Sequence, residues 1–471
     1  MKRFFFVFFG ITCCALAATP KARLAPAPAA REKHPAPLDQ LDLTQAETIA
    51  LQQSPTVYAA QYKALAAQQV VRQVKSAFYP QITAEFTAVT TGDDFAGFFG
   101  LHPITNQDTR IAASGGLNNP TVLSRQANGI LFNQLLTDFG RTWNLTAASK
   151  NMALSAVQKS TLTRAKVMLL VDRAYFQAQQ AQALLRVADE TVMARQLLAD
   201  QVGALAKSQL KSELDVSFAR VSLDEAKLLR LEAQNQVNAA FADLSFALGY
   251  HETHRFALVP IPQFAVPKGN LAGYITQALA TRPEALSLRH ERDAAKQTAA
   301  AERAAHFPKV SLIGAAGRGT AGDPRVEGDY AAAGVNVELP LFTGFRLSAR
   351  DKEASLQAQT AGENLQEVED LIAKDVEVAL LNTTNSADKI NVTASLLANA
   401  EQAYNLAEAK YNIGMTSMVE FSQAQLAKLQ AQINHTTATY EYQINRLVLD
   451  FQTGAPKYLQ SPVPQAVLPR R

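Results

Sequence analysis

Residues 141–202 read RTWNLTAASKNMALSAVQKSTLTRAKVMLLVDRAYFQAQQAQALLRVADETVMARQLLADQV, a run of 62 residues with neither glycine nor proline. As one continuous helix it is about 93 Å long at ~1.5 Å per residue. Gly203 is the first position at which it is open to a break. No proline occurs between Pro120 and Pro260, so long helices are the reading of most of that interval. Within it Leu214, Val221 and Leu228 stand seven apart, the spacing of a packed helical seam.

The run has a counterpart. At an offset of 205, Leu136 falls on Leu341, Arg141 on Arg346, Val171 on Val376, Ala219 on Ala424, Leu244 on Leu449 and Gly249 on Gly454. Upstream the offset is 228: Leu51 falls on Leu279, Pro55 on Pro283, and Tyr79-Pro80 on Phe307-Pro308. The chain is therefore a tandem repeat whose first copy carries 23 extra residues between Pro80 and Leu136. From Phe345 to Ala455 proline is again absent, and Leu397, Tyr404, Tyr411 and Met418 hold a second spacing of seven.

Ahead of each long helical run the period changes from helical to two. Ile82, Ala84, Phe86 and Ala88 alternate with Gln81, Thr83, Glu85 and Thr87, which predicts a strand with one apolar face. A weaker strand follows at 129–136. In the second copy the strands fall at 309–313 and at 334–341, where Val335, Val337, Leu339 and Leu341 alternate with polar or small residues. A glycine-containing loop is expected between them, at 314–329. Amphipathic helical stretches precede the strands at 44–77 and 274–305, with Pro283 interrupting the latter or starting a new segment. Four strands cannot close a barrel, since membrane barrels need at least ~8. Their edges call for other chains, and three chains supply twelve strands.

The N-terminus reads as an export signal: Met1-Lys2-Arg3, then an apolar run from Phe4 to Ile11, then Ala15-Leu16-Ala17 as a cleavage site. Cleavage there removes both cysteines. A second reading makes Cys14 a lipidated residue behind Ile11-Thr12-Cys13. The expected organisation is a signal peptide at 1–17, a Pro/Ala-rich linker at 18–40 and a first repeat at 41–249 with its β-hairpin at 81–136. An inter-repeat linker at 250–269, a second repeat at 270–454 with its hairpin at 309–341, and a disordered tail at 455–471 complete it.

Charged residues make up 18% of the chain, below the roughly 25% usual for soluble domains. The net charge of +3 falls to +1 once Lys2 and Arg3 leave, so nucleic-acid binding has no electrostatic support. No later segment offers ~20 consecutive apolar residues, so no transmembrane helix is predicted. The seven histidines are scattered, and His251 and His254 form a lone H-x-x-H without nearby cysteine. Nucleophile–base pairs, phosphate-cradling glycine loops and metal-binding cysteine clusters are missing from the sequence. Catalytic residues, metal and cofactor are accordingly none, and an enzyme is not expected.

Two local patterns point further. Residues 43–55, LTQAETIALQQSP, look like the opening helix of the outer-membrane efflux protein family, the TolC-like channels. Residues 411–421, YNIGMTSMVEF, resemble that family's helix turn at the periplasmic tip. With the duplicated helix–strand–helix order, the resemblance covers the chain from about Leu41 to Gly454. It implies a mainly α fold with a small β part. Long antiparallel helices would form a periplasmic α-barrel, and four strands per chain would contribute to a trimeric 12-stranded transmembrane β-barrel. It also implies an outer-membrane homotrimer in contact with outer-membrane lipid. Such a trimer would serve a tripartite efflux or type I secretion system as passive exit duct, with a periplasmic adaptor (membrane fusion) protein and an inner-membrane transporter as partners.

The resemblance also assigns residues. Glu420 matches the first carboxylate of an acidic ring that narrows the periplasmic mouth, and Gln423 occupies the second position, leaving three carboxylates rather than six. Tyr411 and Thr416 match positions that latch the inner helix pair shut, with Asp215 as their partner. Thr416 stands where a basic residue is common, so a hydrogen bond between Asp215 and Tyr411 is the expected form of the latch. Core packing is the competing reading for Tyr411, and an ordinary solvated helix position for Glu420. Gly414 either lets the tip turn or is merely tolerated. Phe95, Phe98 and Phe99 either sit at a membrane interface or pack within their loop. The alternative for the whole chain is a periplasmic coiled-coil adaptor or scaffold without a pore, which leaves the four strands unexplained.

Overall fold

A computed structural model describes residues 40–89, 125–321 and 328–459. The expected signal peptide, Cys14, the linker up to residue 39, and Phe95, Phe98 and Phe99 lie outside these residues. The first repeat comprises β1 (Gln40–Leu41), α1 (Leu43–Gln53), α2 (Pro55–Lys75), β2 (Gln81–Val89), β3 (Arg125–Thr137), α3 (Arg141–Lys207) and α4 (Glu213–Leu248). The second comprises β4 (Ala257–Leu258), α5 (Leu271–Thr281), α6 (Pro283–Ala304), β5 (Lys309–Ala321), β6 (Gly328–Glu338), α7 (Arg346–Asn412) and α8 (Met418–Gln452), followed by α9 (Pro456–Leu459).

Local chemistry sets the boundaries. Pro55 and Pro283 each open a new helix at its first turn, where a missing N–H costs nothing. The 44–77 stretch is thus two helices, as 274–305 is. α3 and α7 are both 67 residues long, about 100 Å each. The break allowed near Gly203 falls a few residues later, between Lys207 and Glu213. α3 runs through Gly203 itself, because Leu198 and Val202 beside it are buried and their packing outweighs a cost of ~1 kcal/mol for a mid-helix glycine.

Backbone punctuation repeats at the 205 offset. Left-handed residues occur at Phe139-Gly140 and Gly344-Phe345 before the long helices, at Gln209 and Gly414 after them, and at Gly249 and Gly454 beyond the returning helices.

The long helices form a row, and their packing order changes along its length. In the half nearer the strands, α3 packs on α2 and α6, and α6 on α7; in the far half, α4 packs on α3, α3 on α8, and α8 on α7. The heptad seams divide on this row. Tyr411 and Met418 are buried, whereas Leu214, Val221 and Leu228 are exposed, at 64%, 57% and 58%. The α4 residues that pack inward are instead Val216, Ala219, Leu223 and Ala226. Spacing of seven marks a stripe; it does not say whether the stripe meets a helix of the same chain.

A girdle core sits where the repeats join. Leu41, Val171, Tyr175, Phe241, Leu244 and Phe256 are buried there together. The Tyr175 hydroxyl lies 2.9 Å from Leu41 O and 2.8 Å from Val259 O, and the Gln179 amide donates to Val259 O at 2.7 Å. Phe264 N donates to Gln443 Oε1 at 3.1 Å. The proline-rich link between repeats is therefore tied to helices of both. The tail also differs from expectation at its start. Residues 456–459 form α9, and Tyr458 is 1% exposed, because its ring packs edge-on against Phe451 and its hydroxyl bonds to buried Asp172.

The four strands form one antiparallel sheet in the order β2-β3-β5-β6. Register lines Ile82 with Phe132, Phe132 with Gly314 and Gly314 with Ala333; Leu312 pairs Val335 and Val310 pairs Val337. These residues share one apolar face, on which Ile82, Val335 and Val337 are exposed. Gln81, Asn133, Lys309 and Glu338 belong to the other face by the same alternation. β5 extends well past 313, into the segment expected to be a loop. Its glycines conceal the strand pattern but are built into it. A Cβ on Gly317 would lie 2.3 Å from Asn128 O and 2.7 Å from the Tyr330 hydroxyl, so Tyr330 covers Gly317 and its cross-strand neighbour Gly129. β6 stops at Glu338, short of Leu339 and Leu341, because Pro340 has no N–H for the ladder. Among the described residues no helix is long and apolar enough to cross a membrane.

Candidate functional site: the helical tip

Both helix pairs turn at the end of the row farthest from the sheet, and they turn in the same way. In the first, Gln209 is left-handed and Leu210 N donates to Leu205 O at 2.9 Å. In the second, Gly414 is left-handed and Met415 N donates to Lys410 O at 2.8 Å. These closures satisfy carbonyls at the ends of α3 and α7. The returning helices are capped alike. Ser212 accepts from Asp215 N at 3.1 Å, and Ser417 accepts from Glu420 N at 3.2 Å. Asp215 accepts in return from the Ser212 backbone (3.2 Å) and hydroxyl (2.8 Å), while Glu420 accepts the Thr416 hydroxyl. Asp215 and Glu420 are therefore one position in two copies, each a carboxylate in the first turn of a helix, where the dipole favours it.

The five predicted residues do not form one cluster. Glu420 and Gln423 are exposed near the start of α8, while Thr416 is half-buried behind Glu420. Tyr411 is 5% exposed, inside a cluster with Leu198, Val202, Val216, Ala219, Met418 and Phe421. Its ring stacks on Phe421 with centroids 5.1 Å apart and planes 11° apart. The core reading of Tyr411 thus holds in this conformation. The Asp215–Tyr411 hydrogen bond is not formed, since Asp215 turns back to Ser212 and the Tyr411 hydroxyl is buried without a hydrogen-bond partner. Burial raises the Tyr411 pKa, and the nearby Asp215 charge raises it further.

A cation does reach Tyr411. Lys211 Nζ lies 4.0 Å from the centre of its ring. Lys211 belongs to the first-copy turn and Tyr411 to the second, so this contact, with the α3–α8 packing below it, joins the two hairpins. Sequence reasoning missed Lys211, although the 205 offset carried the signal: Lys211 is the counterpart of Thr416. The basic residue absent from the second copy stands in the first. A parallel contact places Lys428 Nζ 4.4 Å from the ring of Tyr404, whose pKa is pushed up to about 12 by burial and by Glu408.

The exposed Glu420 carboxylate stands at the start of α8, and a core built from aromatic rings of one copy and small side chains of the other holds the hairpins side by side. His254 packs against Tyr250 and Phe256, and among the described residues no three His, Cys, Asp or Glu side chains gather where they could hold a metal ion.

Comparison with known proteins agrees with this architecture. The chain matches the profile of the outer membrane efflux protein family over residues 48–250 and 274–455. It is 24% identical over 331 residues to outer membrane protein TolC of Vibrio cholerae, covering 68% of this chain and 75% of that one. It is 24% identical over 364 residues to the cation efflux system protein CusC of Escherichia coli K12, covering 74% and 77%. A crystal structure of CusC superposes with a TM-score of 0.74 at 20% identity, covering 88% of this chain and 93% of that one. The outer-membrane channel OprN gives 0.74 at 18%, covering 88% and 90%. These chains share the fold.

Proposed function

The chain belongs to the outer membrane efflux protein family, and from that premise we propose that three copies close into one hollow exit duct. It is an outer-membrane protein that extends into the periplasm. The observation that carries the proposal is that the chain is open at matching edges in both layers. The sheet ends in the unpaired strands β2 and β6, and the far half of the helical row ends in α4 and α7. Both end helices expose apolar side chains: Leu210, Leu214, Val221 and Leu228 along and just before α4, Val392, Leu396 and Leu406 on α7. A β edge in a membrane cannot stay open, because each unsatisfied backbone group costs several kcal/mol there. Copies joined β2 to β6 and α4 to α7 satisfy both layers with one rotation. Three of them supply twelve strands and a tube of twelve helices.

The duct is passive. Substrates enter at the tip from an inner-membrane transporter through a periplasmic adaptor, as part of a tripartite efflux or type I secretion system. Three copies of Glu420 at the mouth favour cations, with Gln423 adding no charge. The two hairpins form the gate, with Tyr411 and Phe421 as its packed centre and Lys211, Asp215 and Thr416 at its rim. A scaffold without a pore leaves the apolar sheet face without a role.

Native mass spectrometry of the detergent-solubilised outer-membrane fraction tests this reading. Three chains per particle are expected. A monomer, or recovery only from the soluble periplasmic fraction, overturns it.

A further inference from the structure

A cavity of about 460 Å³ lies where the sheet meets the starts of α3 and α7, far from the tip. Its volume falls in the ~300–1,000 Å³ range of small-molecule sites. Matching positions of the two repeats line it from either side: Tyr79 with Phe307, Gln81 with Lys309, and Arg141 with Arg346. Gln81 and Lys309 put it on the polar face of the sheet, which in the proposed duct is the wall of the lumen.

Two features set the cavity apart from an ordinary seam. The first is charge. Arg141, Lys309, Arg346 and Arg350 all line it. Three carboxylates stand against these four cations. Asp138 is taken up in capping α3, where it accepts from Thr142 N at 2.8 Å and from the Thr142 hydroxyl. Glu302, 9% exposed, is shared between Arg141 at 3.7 Å and Arg350 at 3.3 Å. Glu338 lies opposite Lys309 in the β5–β6 ladder without closing to an ion pair. Among the described residues Lys309 and Arg346 have no ion-pair partner. The second feature is apolar surface on the polar side. Tyr79 and Phe307, which line the cavity, are 59% and 54% exposed, and Phe139 stacks on Phe307 with centroids 5.8 Å apart. Lipid covers exposed rings on the opposite face of the sheet, but it does not reach these.

We infer that this cavity binds small aromatic carboxylic acids in their anionic form. Arg346 and Lys309 hold the carboxylate, and Phe307 and Tyr79 flank the aromatic ring. A guanidinium meets a carboxylate with two parallel N–H donors, and aromatic rings gain from offset or edge-on contact with another ring. An aromatic cation would face four like charges, and an aliphatic anion would leave the rings uncovered. Resting on the duct reading, the cavity is a holding place for such an acid on its way out. The Glu420 carboxylates oppose free entry of an anion at the tip, so delivery by the transporter is what fills it.

Fluorine NMR line broadening of 4-fluorobenzoate, on the full mature protein in a neutral detergent, tests the site. Saturable broadening is expected, with affinity about tenfold weaker in Arg346→Ala and in Lys309→Gln, each of which removes a charged hydrogen bond. Both positions are exposed, and glutamine is the residue that the first copy carries at Gln81. Fluoroacetate, which lacks the ring, and 4-fluorobenzylammonium, which reverses the charge, are expected to bind far more weakly. No saturable binding of the acid, equal binding of either comparator, or unchanged affinity in either variant overturns the proposal. One chain builds the whole cavity, so the test needs no pore. Failure here leaves the trimer count untouched, and a monomer in that count leaves this binding result standing.

Discussion

The two tip turns share one backbone and differ in nearly every side chain that matters. Gln209 and Gly414 are both left-handed, Ser212 and Ser417 both cap, and Asp215 and Glu420 both occupy the same helical position. Around that common frame the second copy presents Tyr404, Tyr411 and Phe421, where the first has Ala199, Ala206 and Val216. All six meet in one cluster, large rings from one copy over small residues from the other. Equal backbones make the two hairpins stackable. Unequal side chains make each fit the other better than itself, which sets α3 beside α8 and leaves α4 and α7 at the ends of the row.

The largest effect should come from the large side of that complementarity. Phe421→Ala is expected to cost ~3–5 kcal/mol and Val216→Ala far less, measured by thermal unfolding of the mature protein in detergent. Equal costs would break the comparison. Gly414→Ala should cost about 1–2 kcal/mol for placing a side chain in a left-handed conformation, whereas Gln209→Gly should be neutral or stabilising. Two losses would mean that the turns differ in more than their residues. Asp215→Ala should remove about 1 kcal/mol of capping, and Glu420→Ala less, because only Asp215 reaches back to its cap backbone. The smallest effect, about 0.5–1 kcal/mol, is expected for Lys211→Met. That change should also raise the open fraction of the channel, which Thr416→Val should not. An unaltered open fraction in Lys211→Met would remove the cation from the gate.

Much of the fold was legible because the chain says it twice. Proline-free runs, Pro55 and Pro283, and the period-two strands all recur at matched positions. What was not legible had physical causes. The extension of β5 past 313 was hidden because Gly314, Gly317 and Gly319 erase alternation, and the ring that covers Gly317, Tyr330, sits on another strand. The Leu214–Val221–Leu228 stripe was visible, but a stripe carries no address. The order at 456–459 depends on Asp172, nearly three hundred positions away, which no local pattern reports. At the tip, Glu420 and Tyr411 came from resemblance, whereas Lys211 required laying one copy over the other and asking where the missing charge had gone.

The most direct test is single-channel recording of the purified mature protein in a planar bilayer, beside Glu420→Ala. Discrete cation-preferring steps, with weaker preference in the variant, are predicted. Folded protein that never conducts, in either form, would contradict the duct.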